Sequence, residues 1–286
     1  MSIALTGSSG MLGSSFSSFF KKNGIKYFSV SRKFYTPDTL IDVVIEYFSS
    51  RKTKIIIHCA ANTNVELCEK NKEQCFHDNY KLTEVLTKVS KNLNIKLVFI
   101  SSTGVYGNYK TEPYTEKDKT IPPTNYHRAK LNSEKIIKFF LEDYIIIRTG
   151  WLFGGNLKSP KNFVVNRILE AKNSNGKIYS NIDQNGNPTY TNDLVKTVYK
   201  LIKINTKGLF NCVNEGFASR YEYVSEILKI FNYPTIVEPV SKSLFSRVAN
   251  VSNNEMALNM SLLKIDQNHM PNWKSSLKKY ILDYKI

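Results

Sequence analysis

Tyr126 and Lys130 stand four residues apart, and Ser102 precedes Tyr126 by 24 positions at the end of the apolar run Lys96 to Ile100. A serine, a tyrosine and a lysine that converge can move a proton on and off a carbonyl or carbinol. The serine hydroxyl donates to the oxygen on which charge develops, and the phenol exchanges the proton. A free tyrosine has a pKa of about 10, so it needs a neighbouring ammonium to work near neutral pH. Lys130, one helical turn further on, can supply that field. The Tyr-x-x-x-Lys spacing alone is weak, because the chain contains it at Tyr106/Lys110, Tyr126/Lys130 and Tyr199/Lys203. Position selects the second pair: Tyr106 lies in the loop directly after a strand, and Tyr199 lies on a late amphipathic helix, where packing is its expected role.

The partner for such a group is written at the start of the chain. Gly7-x-x-Gly10-x-x-Gly13 follows the short apolar run Ser2 to Leu5 and opens a helical segment from Met11 to Asn23, with Gly24 as its stop. Glycines there allow a tight turn, a close approach to a pyrophosphate and packing of helix on strand, with the helix N-terminus facing the phosphates. Gly7, Gly10, Met11, Leu12 and Gly13 are therefore the expected dinucleotide contacts, an ordinary tight turn being the alternative. The second strand ends in Ser31-Arg32-Lys33, where a site for NAD usually places an acid. Basic residues at that point fit a 2′-phosphate and hence NADPH, with NADH as the alternative cofactor. In a lysine-rich chain they can also be solvated surface charges.

The elements that must position these residues alternate. Apolar, β-branched runs at Lys26 to Val30, Lys54 to His58, Lys96 to Ile100 and Tyr144 to Ile147 are separated by helical stretches at Asp38 to Phe48, Glu73 to Asn92 and Asn125 to Leu141. Continuous apolar strands between helices predict an α/β protein: a Rossmann-type doubly wound parallel sheet covered on both faces. Beyond Arg148 the regularity weakens. Helices are expected at Lys161 to Lys172, Asn192 to Lys203, Tyr221 to Phe231 and Lys274 to Tyr284, with a strand at Gly208 to Cys212. This predicts a dinucleotide-binding domain over 1–150, to which 190–214 return, and a smaller C-terminal substrate-binding lobe over 151–286.

Composition excludes several other classes. The formal charge of +16 comes mostly from scattered lysines rather than a basic arm or helix, so no nucleic-acid partner is expected. Cys59, Cys68, Cys75 and Cys212 lack a Cys-x-x-Cys pair, which predicts reduced thiols and no metal site. Without a signal-like start or an apolar stretch of about 20 residues, a cytoplasmic protein off the membrane is expected. His58 ends a buried strand and reads as a packed core histidine, while His127 is expected at solvent or the edge of the cleft. Arg148, Arg167, Arg220 and Arg247 are alternative partners for a diphosphate, which arginine matches bidentately.

The chain resembles the extended short-chain dehydrogenase/reductase superfamily through TGSSGMLG at 6–13, CAANTNVE at 59–66, DNYKLTEVL at 78–86, SSTGVYG at 101–107 and YHRAK at 126–130. Its second half is most similar to dTDP-4-dehydrorhamnose reductases and related nucleotide-sugar reductases, through IIIRTGWLFG at 145–154, KNFVVNRI at 161–168, DQNGNPTYTNDL at 183–194 and GLFNCVNEG at 208–216. The resemblance implies that Ala60, Ala61 and Asn79 belong to the cofactor side, Asn79 also organising the central helix. It further implies that Trp151 and the segment Asp183 to Thr189 border a sugar nucleotide, Trp151 having domain packing as its alternative role; Ser102, Thr103, Asn162, Gln184 and Arg247 are also expected on the substrate side. The rhamnose reductases usually carry Ser-Thr-Asp-Tyr-Val-Phe after the fourth strand, whereas residues 101–106 here are Ser-Ser-Thr-Gly-Val-Tyr, closer to nucleotide-sugar epimerases and dehydratases. Phe34-Tyr35-Thr36-Pro37 likewise replaces the acid that often approaches the adenine. The expected activity is NAD(P)H-dependent reduction of a nucleoside-diphosphate 4-keto-6-deoxy sugar for deoxysugar or surface-polysaccharide biosynthesis. An epimerase with tightly held cofactor and a non-catalytic sugar-nucleotide-binding subunit are the alternatives, and a homodimer is allowed.

Overall fold

The computed structural model describes residues 2–157, 159, 161–265 and 270–283. Its first half runs β1 (Ser2–Thr6), α1 (Met11–Lys22), β2 (Tyr27–Val30), α2 (Ile41–Ser49), β3 (Thr53–His58), α3 (Val65–Lys70), α4 (Lys72–Phe76), α5 (Leu82–Leu93), β4 (Lys96–Ser102), α6 (Asn125–Phe140) and β5 (Tyr144–Thr149). The second half continues with β6 (Leu152–Phe153), α7 (Phe163–Asn173), β7 (Lys177–Asn181), β8 (Asn185–Gly186), β9 (Thr189–Tyr190), α8 (Thr191–Lys203) and β10 (Gly208–Asn211). It ends with β11 (Ala218–Ser219), α9 (Arg220–Ile230), β12 (Ile236–Val240), α10 (Met260–Ile265) and α11 (Trp273–Asp283). Tyr284, the expected end of the last helix, lies outside the described residues.

Six strands form one parallel sheet in the order β10-β5-β4-β3-β1-β2. Alternate residues of each strand feed opposite cores, as the period of two requires. Ile3, Leu5, Ile55, Ile57, Ile145 and Ile147 pack with Phe16 and Phe20 of α1 and with Leu194 and Val198 of α8. Ala4, Ile56, Phe99 and Ile146 face Val44 and Phe48 of α2, Leu82 and Leu86 of α5 and Ile137 of α6. Each such side chain contributes about 1.5–3 kcal/mol by leaving water, which is why strands with no polar face sit here. The doubly wound parallel sheet is therefore present, and β10 with α8 extends it from late in the chain.

Strand order turns at β1, with β2 on one side and β3 on the other. A crevice opens beyond the carboxyl ends at such a point, so Gly7, Cys59 and Ser102 all arrive at the same edge. Between α4 and α5 the helix widens into a π turn over His77–Lys81, which buries Asp78 and Asn79; such turns are frequent at functional sites.

The lobe has its own core, in which Phe153, Val164, Tyr190, Tyr223, Trp273 and Tyr280 meet. Its strands come in three pairs: β7 with β12, β6 with β9, and β8 with β11. Four of these six have only two residues, too short to carry a period, and the sequence pattern does not announce them. Among the described residues no helix is long and apolar enough to cross a membrane, and no group of His, Cys, Asp and Glu could hold a metal.

Candidate active site

The glycine turn is dictated by contact distances. Gly7 has a left-handed φ of 68°, and a Cβ there would lie 2.6 Å from the Ala60 amide nitrogen; one on Gly13 would lie 2.0 Å from the Gly7 carbonyl. Neither gap admits a side chain. α1 begins at Gly10 without a side-chain cap, so the amides of Met11, Leu12 and Gly13 precede any intrahelical acceptor and remain available. These residues and Ala61 line a cleft of about 680 Å³. Ala60 sits behind the turn, its amide bonded to Thr6 Oγ1 at 3.3 Å.

The second strand hands over to a short 3-10 turn, Arg32–Phe34, preceded by the exposed Ser31. Arg32 is half-exposed and donates to Asp78 Oδ1 at 3.2 Å, a carboxylate that also accepts from Asn62 and Gln74. Lys33 instead lies over the Phe34 ring, 5.0 Å from its centroid, and Phe34 stacks on Tyr47 of α2. Of the two expected 2′-phosphate partners, Arg32 is on the π-turn side and Lys33 is turned toward α2. Asn79 is fully buried: its amide donates to the carbonyls of Asn62 and Cys75, and its oxygen accepts from the Asn62 amide. Its side chain thus fastens the 59–64 segment to the π turn, and it is not among the residues that line the cleft.

The central group sits where β4 ends and α6 begins. Thr124 caps α6 by accepting the His127 amide at 3.3 Å, and the helix brings Tyr126, His127 and Lys130 to the cleft beside Ser102. Ser102 Oγ accepts from the Gly104 amide at 3.2 Å, which leaves its own proton to donate. Lys130 is buried, donates to the Ile100 carbonyl at 2.8 Å and lies 6.0 Å from the Tyr126 ring centre. Burial lowers Lys130 to about 8, against the opposing pull of Cys59 and Glu134. Burial holds the Tyr126 phenol above its ordinary value, with Cys68, Cys75 and Glu255 adding to the effect. Tyr126 is therefore a protonated acid beside a cation.

One helical turn beyond Lys130, Glu134 is fully buried and anchors the helix: it accepts from Arg148 Nε at 2.9 Å, Arg148 Nη2 at 2.6 Å and Ser101 Oγ at 2.5 Å. Arg148, one of the diphosphate candidates, is spent on this pair and on the Tyr106 ring. The other Tyr-x-x-x-Lys tyrosines serve packing. Tyr106 stacks on Tyr114 and donates to Asn211 Oδ1 at 2.7 Å, and Tyr199 packs on Phe19 and Phe20. His58 is buried between Thr6 and Thr83 hydroxyls, and burial lowers its pKa to about 3.

On the lobe side the cleft runs into a second hollow of about 640 Å³, the two sharing Gln184, Arg220, Arg247 and Val251. Trp151 adopts a left-handed φ of 48°, uncommon for a bulky residue. Its ring lies flat over Gly186, where a Cβ would come within 2.5 Å, and its Nε1 donates to Glu255 Oε2 at 2.9 Å. The guanidinium of Arg220 stacks on that ring at 3.5 Å and lies 5.4 Å from the Phe163 ring centre. Burial lowers Arg220 to about 10, so it keeps its charge, and no carboxylate lies within ion-pair distance among the described residues. Arg247, the expected substrate arginine, is engaged with Glu66 at 2.8 Å, and Glu66 also accepts the amides of Val248 and Ala249. Asn162 is fully buried as the cap of α7, accepting from Val165 and donating to Tyr280 and Asn156; it supports the lobe rather than lining the cleft. Thr103 is also buried, packed behind Ser102 against Gly150. Arg220 was one candidate among four from sequence, and Glu255 was not expected; an isolated acid near the end of the chain carries no spacing signal.

The model of the RmlD substrate binding domain matches residues 1–286. The spore coat polysaccharide biosynthesis protein SpsK of Bacillus subtilis is 28% identical over 241 residues, 84% of this chain and 82% of its own. A dTDP-4-dehydrorhamnose reductase of Mycobacterium tuberculosis is 26% identical over 282 residues, 96% and 90% respectively. The solved dTDP-4-dehydrorhamnose reductase of Bacillus anthracis, a complex with NADP, superposes with a TM-score of 0.92 at 28% identity, covering 99% of both chains.

Proposed function

The chain belongs to the RmlD substrate-binding domain family, and from that premise we propose that it reduces the 4-keto group of a nucleoside-diphosphate 4-keto-6-deoxy sugar with NADPH, in deoxysugar or polysaccharide biosynthesis. The observation that carries this reading is the meeting of Ser102, Tyr126 and Lys130 in one cleft between the glycine turn and the Trp151–Arg220 stack.

The residues present fit a dinucleotide. Nothing with a side chain could replace Gly7 or Gly13, the uncapped N-terminus of α1 offers its amides to a pyrophosphate, and the buried Thr149 hydroxyl on the cleft wall has no partner in the described structure. The cofactor, when bound, supplies the hydride. The protein's residues then handle the oxygen: the Ser102 hydroxyl donates to it as negative charge grows, and Tyr126 delivers the proton that completes the carbinol. Lys130 stabilises the resulting phenolate and is well placed for the nicotinamide ribose. Arg220, stacked on Trp151 near the Glu255 charge and with no carboxylate within ion-pair distance among the described residues, is the guanidinium best placed for the diphosphate, and the second hollow takes the nucleoside.

A reaction fed by NADPH belongs in the cytoplasm, and we include a homodimer in this reading, to be tested by light scattering. The activity is tested by mixing the purified protein with NADPH and dTDP-4-keto-6-deoxy sugars. One NADPH should be oxidised per sugar reduced, with label from deuterated cofactor arriving at sugar C4. Interconversion of sugar epimers without net NADPH loss, on firmly bound cofactor, would establish an epimerase instead. Sugar-nucleotide binding without either activity would favour a non-catalytic subunit.

A further inference from the structure

The cleft contains one group that the chemistry above does not use. His127 was expected at solvent or the cleft edge, yet its residue is only 4% exposed while its ring still lines the cleft beside Tyr126. Thr124 pairs with one of the two ring nitrogens. Its Oγ1 already accepts the His127 amide and lies 2.9 Å from His127 Nδ1. In the tautomer in which the Thr124 hydroxyl donates to Nδ1, the ring hydrogen lies on Nε2. Burial and the Lys130 cation lower His127 to about 4, so around neutral pH it is an uncharged ring with one N–H. That N–H has no hydrogen-bond partner among the described residues.

Gly104 is what makes room for it. A Cβ at position 104 would lie 2.2 Å from Nε2 and 2.4 Å from Cε1. Gly104 is not among the glycines with positive φ, so its lack of a side chain serves space rather than backbone conformation. Its amide is the one that holds Ser102 Oγ. The His127 ring therefore packs against the very turn that presents Ser102, on the helix that presents Tyr126. A partially buried donor without an acceptor costs stability, and the groups around it leave the cleft's occupant to satisfy it.

Resting on the keto-sugar reading, we propose that His127 is a specificity-determining residue whose Nε2–H donates to a sugar oxygen vicinal to the carbonyl held by Ser102 and Tyr126. The pair Gly104/His127 then selects sugars that keep this oxygen, because a site built to bind a polar group rejects the analogue lacking it.

The full-length protein is tested with dTDP, dTDP-rhamnose and a dTDP-4-keto-6-deoxy sugar with and without the C3 oxygen. His127→Phe should leave dTDP affinity within about twofold and cut the extra affinity given by the sugar by roughly tenfold. The wild type should discriminate against the 3-deoxy sugar, and the variant should not. Gly104→Ala should produce the same two changes by displacing the imidazole, and it decides the matter if His127→Phe does not fold. His127→Gln, which returns an N–H, should recover part of the loss. Unchanged sugar increments in both variants, or an equal loss for dTDP alone, would overturn the proposal. If the wild type turns over no keto sugar, the binding increment still reads His127, so that result strikes the reductase reading and not this one.

Discussion

Replacing Glu134 by glutamine is the sharpest test of how the fold holds the site. The carboxylate is fully buried and takes two bonds from Arg148 and one from Ser101. Arg148 is itself buried, and although burial opposes it, the Glu134 bonds hold its pKa above the ordinary value. Its Nη1 already lacks a hydrogen-bond partner among the described residues. Glu134→Gln keeps the shape and removes the counter-charge, leaving a buried cation, and breaking such a pair costs about 3–5 kcal/mol. With an unfolding entropy of about 2.1 cal/mol/K per residue, this corresponds to a fall in Tm of roughly 5–8 °C for a chain of 286 residues. Scanning calorimetry measures it. Glu134→Leu combined with Arg148→Met should recover most of the loss, because neither charge then has to be desolvated. Since Lys130 and Tyr126 lie one and two turns before Glu134 on α6, the single variant should also lose kcat. A single variant melting within about 1 °C of the parent, or a double variant no better than the single, would refute the account.

Tyr126→Phe should lower turnover by about 10²–10⁴-fold while leaving the NADPH dissociation constant within about twofold; a residual rate within tenfold of the parent rejects Tyr126 as the proton donor. Because Lys130 is lowered to about 8, its charge is present below that pH and lost above it, so kcat should decline as pH rises through about 8. Lys130→Arg should remove that limb, and a parent profile flat from pH 7 to 10 would contradict the assignment. Arg220→Met should weaken dTDP binding by roughly tenfold or more, whereas Arg247→Met, whose guanidinium is occupied by Glu66, should change it less than about threefold in titration calorimetry. Neutralising Arg32 should narrow the preference for NADPH over NADH, with Lys33 adding little because it lies against Phe34; equal affinity of the parent for both cofactors would return both residues to the role of surface charges.

The sequence by itself determined the sheet, because its central strands carry the buried apolar runs Ile55 to Ile57, Leu97 to Ile100 and Ile145 to Ile147, which local pattern suffices to recognise. It also determined the glycine turn, since spacing and the flanking strand and helix are contiguous in the chain. Ser102, Tyr126 and Lys130 were legible for a related reason: a strand end and one helical turn are short-range features. What the tertiary structure decided was which of several chemically equivalent residues meets which partner. Four arginines were candidates in the sequence; only folding commits Arg148 to Glu134, Arg167 to Glu170 and Arg247 to Glu66 while leaving Arg220 stacked on Trp151. Asn79, Asn162 and Thr103 do not line the cleft: the two buried amides go to nearby backbone groups, and the buried Thr103 hydroxyl packs against Gly150. His127 is the clearest case: the partner of its Nδ1 is Thr124, and its place over Gly104 depends on a turn 23 residues earlier in the chain. Such pairings are contacts between segments distant in sequence, and no periodicity records them.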